Sequence, residues 1–191
     1  ITTLSFCYLM TGNEAYAKKA IYVMMKVCGD DFPDWHPYHF LDVAEMAAGV
    51  ALGYDWCYDL LRPSQKYKIK NALLTKALKP VMEDYNELPG RSRTWYWSSK
   101  SSEAYVQNWV AVCFGGTTLA ALAIGDEDLG DFTEAGNVIT EGMERVRDLY
   151  ETYMPDGAFL DGTSYWELAM EYMALGIEGM ETALGSSYTM L

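Results

Sequence analysis

Apolar residues recur at spacings of three and four through most of this chain, and stretches of strict polar–apolar alternation are nearly absent. A period near 3.6 gathers such residues on one helix face, whereas a half-buried strand needs a period of two. The expected fold is therefore all-α. Asn13 is placed to cap a helix running to residue 27, in which Ala17, Ala20, Ile21, Met24 and Val27 form one stripe before Gly29 stops it. Residues 39–61 are apolar almost all round, which predicts a helix buried on most sides.

The next helix is different in kind. Pro63 ends its predecessor, Ser64 is placed to cap it, and it runs to Tyr85 with Lys66, Lys68, Lys70, Lys76 and Lys79 outside, a stripe of Ile69, Leu73, Ala77 and Val81 inside, and a kink at Pro80. The contrast then repeats. Residues 107–124 are buried all round, and residues 128–150 are amphipathic through Phe132, Ala135, Ile139, Met143, Val146 and Tyr150. Helical hairpins that each hide one helix and expose the other stack into an α/α toroid or solenoid around a cleft. No repeat of fixed period is visible, so the repetition is expected in the structure alone.

With 191 residues, half of them apolar, the chain is long enough to bury its own core, and it is read as a single domain over residues 1–191. Its 27 acidic and 14 basic residues leave a net charge of −13, which argues against general binding to nucleic acid or to an anionic membrane. The longest nearly uncharged apolar run, Trp109 to Ile124, falls short of the roughly 20 residues that span a bilayer, so no transmembrane helix is expected. The chain starts at Ile1 without an initiator Met or a basic leader, and the expectation is a fragment of a longer protein. Cys7, Cys28, Cys57 and Cys113 form no CxxC pair and have apolar flanks, which predicts buried free thiols.

Several motifs carry possible chemistry. Asp30, Asp31 and Asp34 match a DDxxD pattern, but Pro33 disfavours the helix that such a diphosphate site needs, and a solvated turn is expected. His36 and His39 are the only histidines, with Asp42 the one acid at a plausible ligand spacing; no metal or cofactor is expected, and one polar His at the mouth of a cleft competes with a purely structural role. The acid pairs Asp55 with Asp59 and Glu167 with Glu171 read as solvated helix faces. Residues 87–103 break the helical pattern and bring Arg91, Arg93, Trp95, Tyr96, Trp97 and Lys100 together in an acidic protein. Aromatic faces stack on sugar rings and arginines bind carboxylates, so Arg91, Arg93, Trp95 and Trp97 are candidate substrate-binding residues; the competing reading tucks the tryptophans into the core.

Three blocks in order carry a resemblance. They are His39-Phe-Leu-Asp-Val-Ala-Glu-Met-Ala-Ala-Gly-Val-Ala-Leu-Gly-Tyr54-Asp55-Trp56-Cys-Tyr58-Asp59, then Asn108-Trp109-Val-Ala-Val-Cys-Phe-Gly-Gly-Thr, then Pro155-Asp156-Gly157 running to Gly162-Thr-Ser-Tyr165-Trp166. Over roughly residues 35–185 the chain resembles the helical domain of heparinase II/III-like and related alginate polysaccharide lyases. The resemblance implies an α/α toroid followed in whole enzymes by a β-sandwich domain, which this chain lacks, and export to the bacterial periplasm or beyond. It also implies β-elimination on a uronic-acid glycan. In that chemistry Asn108 masks the uronate charge and Tyr165 transfers a proton, with His39, Trp109, Asp161 and Trp166 added to the substrate-binding set. Two positions depart from the family: Trp109 stands where many members have His, and Asp161 where Glu is common.

The partner so implied is an anionic polysaccharide or oligosaccharide, together with the missing sandwich domain of the same chain. Two other readings stay open at this point. One is an α/α-toroid glycoside hydrolase using Asp161 or Glu167, and the other a non-catalytic glycan-binding scaffold.

Overall fold

The computed structural model describes residues 1–86, 97–99, 107–159 and 161–186, and all regular structure among them is helical. The protein is all-α. Helices α1 (Thr2–Thr11), α2 (Glu14–Val27) and α3 (Phe40–Trp56) are followed by a 3-10 turn at Tyr58–Leu60 and by α4 (Pro63–Leu73). A π-helical turn at Leu74–Leu78 joins α4 to α5 (Lys79–Tyr85), and α6 (Asn108–Ile124), α7 (Ala135–Glu151) and α8 (Thr163–Leu184) complete the order.

Local signals explain most of the boundaries. Asn13 caps α2, its side chain accepting from the Ala15 backbone N–H at 3.0 Å. The cap of α4 differs from expectation. Arg62 rather than Ser64 is the N-cap, Pro63 occupies the first turn where its missing N–H costs nothing, and the Gln65 side chain accepts from the Arg62 N–H at 3.0 Å. The discontinuity expected at Pro80 takes the form of the π turn: the Lys79 N–H reaches back five residues to the Leu74 carbonyl. The helix expected over residues 128–150 begins later, at Ala135, although Phe132 is still buried in the turn before it.

Helix α6 is the centre of the molecule. It packs most extensively on α3 and α8, then on α7. Its two central glycines make those approaches possible: a Cβ on Gly116 would stand 2.2 Å from the Ala44 carbonyl oxygen of α3, and one on Gly115 would stand 2.1 Å from that of Tyr172 in α8. Both distances are far inside van der Waals contact, so only glycine lets the two backbones close on α6.

The order of contacts gives the helix directions. His39 meets Trp109, Ala44 meets Gly116, and Ala51 to Trp56 share a cavity with Leu119 to Ala123, so α3 and α6 run parallel. Gly115 meets Tyr172 and Leu119 meets Gly179, so α8 is parallel to both. Helix α7 is antiparallel, with Gly142 on Phe114 and Ala135 near Gly125. The three parallel helices therefore start at one end of the molecule. Between α3 and α6 the chain passes through α4, the π turn and α5, and the outer amphipathic helix expected to run to Tyr85 is partly exposed over α4 but largely buried over α5.

Three of the four cysteines, Cys28, Cys57 and Cys113, are buried free thiols, and Cys7 is half-buried. Among the described residues no helix is long and apolar enough to cross a membrane.

Candidate functional site

The shared starting end of α3, α6 and α8 collects most of the described residues singled out in the sequence. Asn108 is the first residue of α6 and is only 5% exposed. Its side-chain amide donates to Asp161 Oδ2 at 2.9 Å, and its backbone N–H reaches the same oxygen at 3.2 Å. Asp161 precedes Gly162, the N-cap of α8, so one carboxylate ties the starts of two parallel helices together. The Asn108 Oδ1 is buried without a hydrogen-bond partner.

Trp109 continues this cluster on the other side. Its ring lies edge-on to His39 with centroids 4.8 Å apart, and His39 is the N-cap of α3. Asp42, in the first turn of α3, accepts from His36 Nδ1 at 2.7 Å and lies 3.2 Å from His39 Nδ1. Those hydrogen bonds hold the Asp42 carboxyl below the usual carboxylate range against the opposing effect of partial burial.

Tyr165, the third residue of α8, is exposed, and Trp166 beside it donates from its indole to the Gly157 carbonyl at 3.0 Å. That bond folds the turn at Asp156 and Gly157 back against α8. Gly157 adopts a φ of +82°, a left-handed conformation that favours glycine, while Asp156 Oδ1 accepts from the Ala158 N–H. Within the same turn Tyr153 stacks on Phe159 at 4.6 Å. The Tyr153 hydroxyl is buried without a partner, and burial, with the nearby Asp161 charge, pushes it up to about 12. Sequence reasoning passed over Tyr153, because nothing local distinguishes it from an ordinary core tyrosine.

The aromatic loop is corrected in part. Trp97 is 1% exposed and no stacking platform: its indole donates to Asp84 Oδ2 at 3.1 Å, and its ring packs on Phe40 and Tyr85. The physical reason is that a large ring with one donor gains most where its surface is covered and its N–H meets a buried carboxylate. Arg91, Arg93 and Trp95 lie outside the described residues. Asp30, Asp31 and Asp34 lie in an exposed turn, and Asp55, Asp59, Glu167 and Glu171 are on solvated faces, as expected.

Two cavities, of about 690 and 380 Å³, open at the opposite end, where α3, α6 and α8 finish. Their walls carry Asp55, Asp126, Glu127 and Glu178 beside apolar surface. The starting end presents the N-termini of α3, α6 and α8, and carboxylates already stand at them: Asp42 lies in the first turn of α3, and Asp161 bonds the first residue of α6 just ahead of α8.

No family model matches the chain, and no curated protein matches it.

Proposed function

We propose that the chain is the helical portion of a polysaccharide lyase, an α/α toroid that cleaves a uronic-acid glycan by β-elimination at the starting end of α3, α6 and α8. The observations that carry the reading are the three parallel helix starts there, the Asn108–Asp161 hydrogen bond and the His39–Trp109 ring contact, with Tyr165 and Trp166 in the first turn of α8. The exposed Trp166 and Tyr165 rings offer faces for sugar.

The chemistry assigns roles. In the elimination the C5–H bond breaks, its electron pair forms the C4–C5 double bond, and the C4–O bond breaks with a proton delivered to the leaving oxygen. Masking the uronate charge with a donor makes the C5 proton more acidic, and the second N–H of the Asn108 amide is the donor at hand. Tyr165 is assigned the part of general acid, protonating the leaving oxygen. The base then comes from elsewhere in the longer, exported enzyme, whose sandwich domain would close the cleft.

A second reading has its own support. Asn108 is nearly covered and one of its amide hydrogens is committed to Asp161, which suits a positioning role in a glycan-binding scaffold without turnover. The test is production of C4–C5 unsaturated oligosaccharides from alginate and glycosaminoglycans by the full-length protein, followed by ultraviolet absorbance. Product is expected from the wild type, none from Tyr165→Phe, and little from the 191-residue chain alone. Wild-type turnover by Tyr165→Phe would remove Tyr165 from the mechanism. Calorimetric glycan binding without product would select the scaffold.

A further inference from the structure

His36, His39 and Asp42 form a cluster that shares His39 with the glycan reading. One nitrogen from each histidine and one Asp42 oxygen all lie within 4.8 Å of one another. The chain builds this arrangement in seven residues through two successive turns, the His39 N–H donating to the His36 carbonyl and the Asp42 N–H to the His39 carbonyl, each at 2.9 Å. The two imidazoles lie with their planes 27° apart and their centroids at 6.2 Å, on either side of one carboxylate.

Two features mark the cluster as more than a solvated turn. His36 is the single described residue other than glycine with positive φ, at +59°, a conformation that a side chain with a Cβ adopts against steric resistance. It is held there while its ring meets Asp42, and the Asp34 side chain accepts from its backbone N–H at 2.8 Å. On the other flank the edge of Trp109 fixes the His39 ring. All three side chains keep about half of their surface open to solvent, so the groups are oriented without being sealed.

We propose that His36, His39 and Asp42 bind one late first-row divalent cation, with zinc as the reference ion, through two imidazole nitrogens and one carboxylate oxygen. Two neutral imidazoles and a carboxylate are the donor set such cations favour over magnesium or calcium, which prefer oxygen alone. Metal–ligand bonds of about 2.0 to 2.2 Å place neighbouring donors roughly 3 to 4 Å apart, a spacing that small ring rotations supply here. Binding exchanges the hydrogen bonds for metal bonds: each imidazole presents a lone pair where it now donates, its N–H moving to the other ring nitrogen. Three protein ligands leave the remaining positions to water or to an oxygen ligand.

The test uses the whole chain stripped with chelator, titrated with zinc by calorimetry and with cobalt(II) by visible absorption. One zinc per chain is expected, with ligand-field bands of cobalt in the visible and no comparable uptake of magnesium or calcium. His36→Gly relieves the positive φ while removing a ligand, so it should keep its helical circular dichroism and bind zinc at least about tenfold more weakly. Asp42→Asn should weaken binding to a similar extent. Absence of stoichiometric zinc binding, or uptake unchanged in either variant, would leave the three residues as a hydrogen-bonded cap and overturn the assignment.

Discussion

Asp161 Oδ2 accepts both the side-chain amide of Asn108, at 2.9 Å, and its backbone N–H, at 3.2 Å, joining residues 53 positions apart at the starts of two parallel helices. The carboxylate also sits at the positive end of α6, where a negative charge is stabilised. Asp161→Ala is expected to strand a nearly covered amide and lower the unfolding free energy by about 1 to 3 kcal/mol. Asp161→Asn, which keeps an acceptor, should lose less. Denaturant unfolding of the two variants measures the difference, and equal losses would mean that charge rather than hydrogen bonding holds the junction.

Gly116 offers a contrast with Gly136. A Cβ on Gly116 would lie 2.2 Å from the backbone oxygen of Ala44, which cannot rotate away, so Gly116→Ala should force α3 and α6 apart and cost about 3 kcal/mol or more. At Gly136 in α7 nothing lies within 4 Å of the added carbon, and alanine there should raise stability by roughly 0.5 to 1 kcal/mol. Thermal unfolding midpoints moving in opposite directions would establish the pair.

Arg145 is buried on α7 and anchors residues 97–99. Its guanidinium donates to the Ser98 carbonyl at 2.9 Å, to the Tyr85 carbonyl at 3.2 Å and to the Glu141 carboxylate at 2.7 Å, and it lies over the Tyr85 ring. Replacing it with Met removes a charge whose partners are partly sealed from water, and a loss of about 3 kcal/mol or more is expected. Arg145→Lys retains the charge without the planar fork and should recover only part of it, as read by denaturant midpoints.

Alkaline pH should unfold the protein before the buried phenols and thiols titrate in place. Burial pushes the Cys28 thiol up from 9.0 to about 12, and Tyr153 and Tyr172 up from 10.0 to about 12. Below their ordinary values folded and unfolded chains hold the same protons on these groups. Between about pH 9 and 12 the unfolded chain releases them while the folded chain does not, so stability falls as pH rises through that window. Unfolding midpoints measured from pH 8 to 11 should decline steadily, and a flat profile would contradict the burial effect. At pH 8 an alkylating reagent should label half-buried Cys7 ahead of Cys28, Cys57 and Cys113.

Much of the architecture is legible in the sequence because the signals that encode it act over a few residues. Helical periodicity, the Asn13 cap and the all-round apolar character of α6 all depend on neighbours within one or two turns. The late start of α7 and the Arg62 cap show where such signals compete: Pro63 is compatible both with ending one helix and with opening the next.

By itself, the sequence determined that the chain is helical, that α6 is interior, and which residue types stand ready for chemistry. Only the tertiary structure decided that α3, α6 and α8 run parallel, that Asp161 meets Asn108, that Trp97 is a core residue, and that both histidines converge on Asp42. The reason is physical. A tryptophan is exposed or covered according to surfaces supplied by distant segments, here Phe40 and Tyr85, and a carboxylate becomes a junction or a solvated charge according to which helix start is packed beside it. Local periodicity carries no information about either.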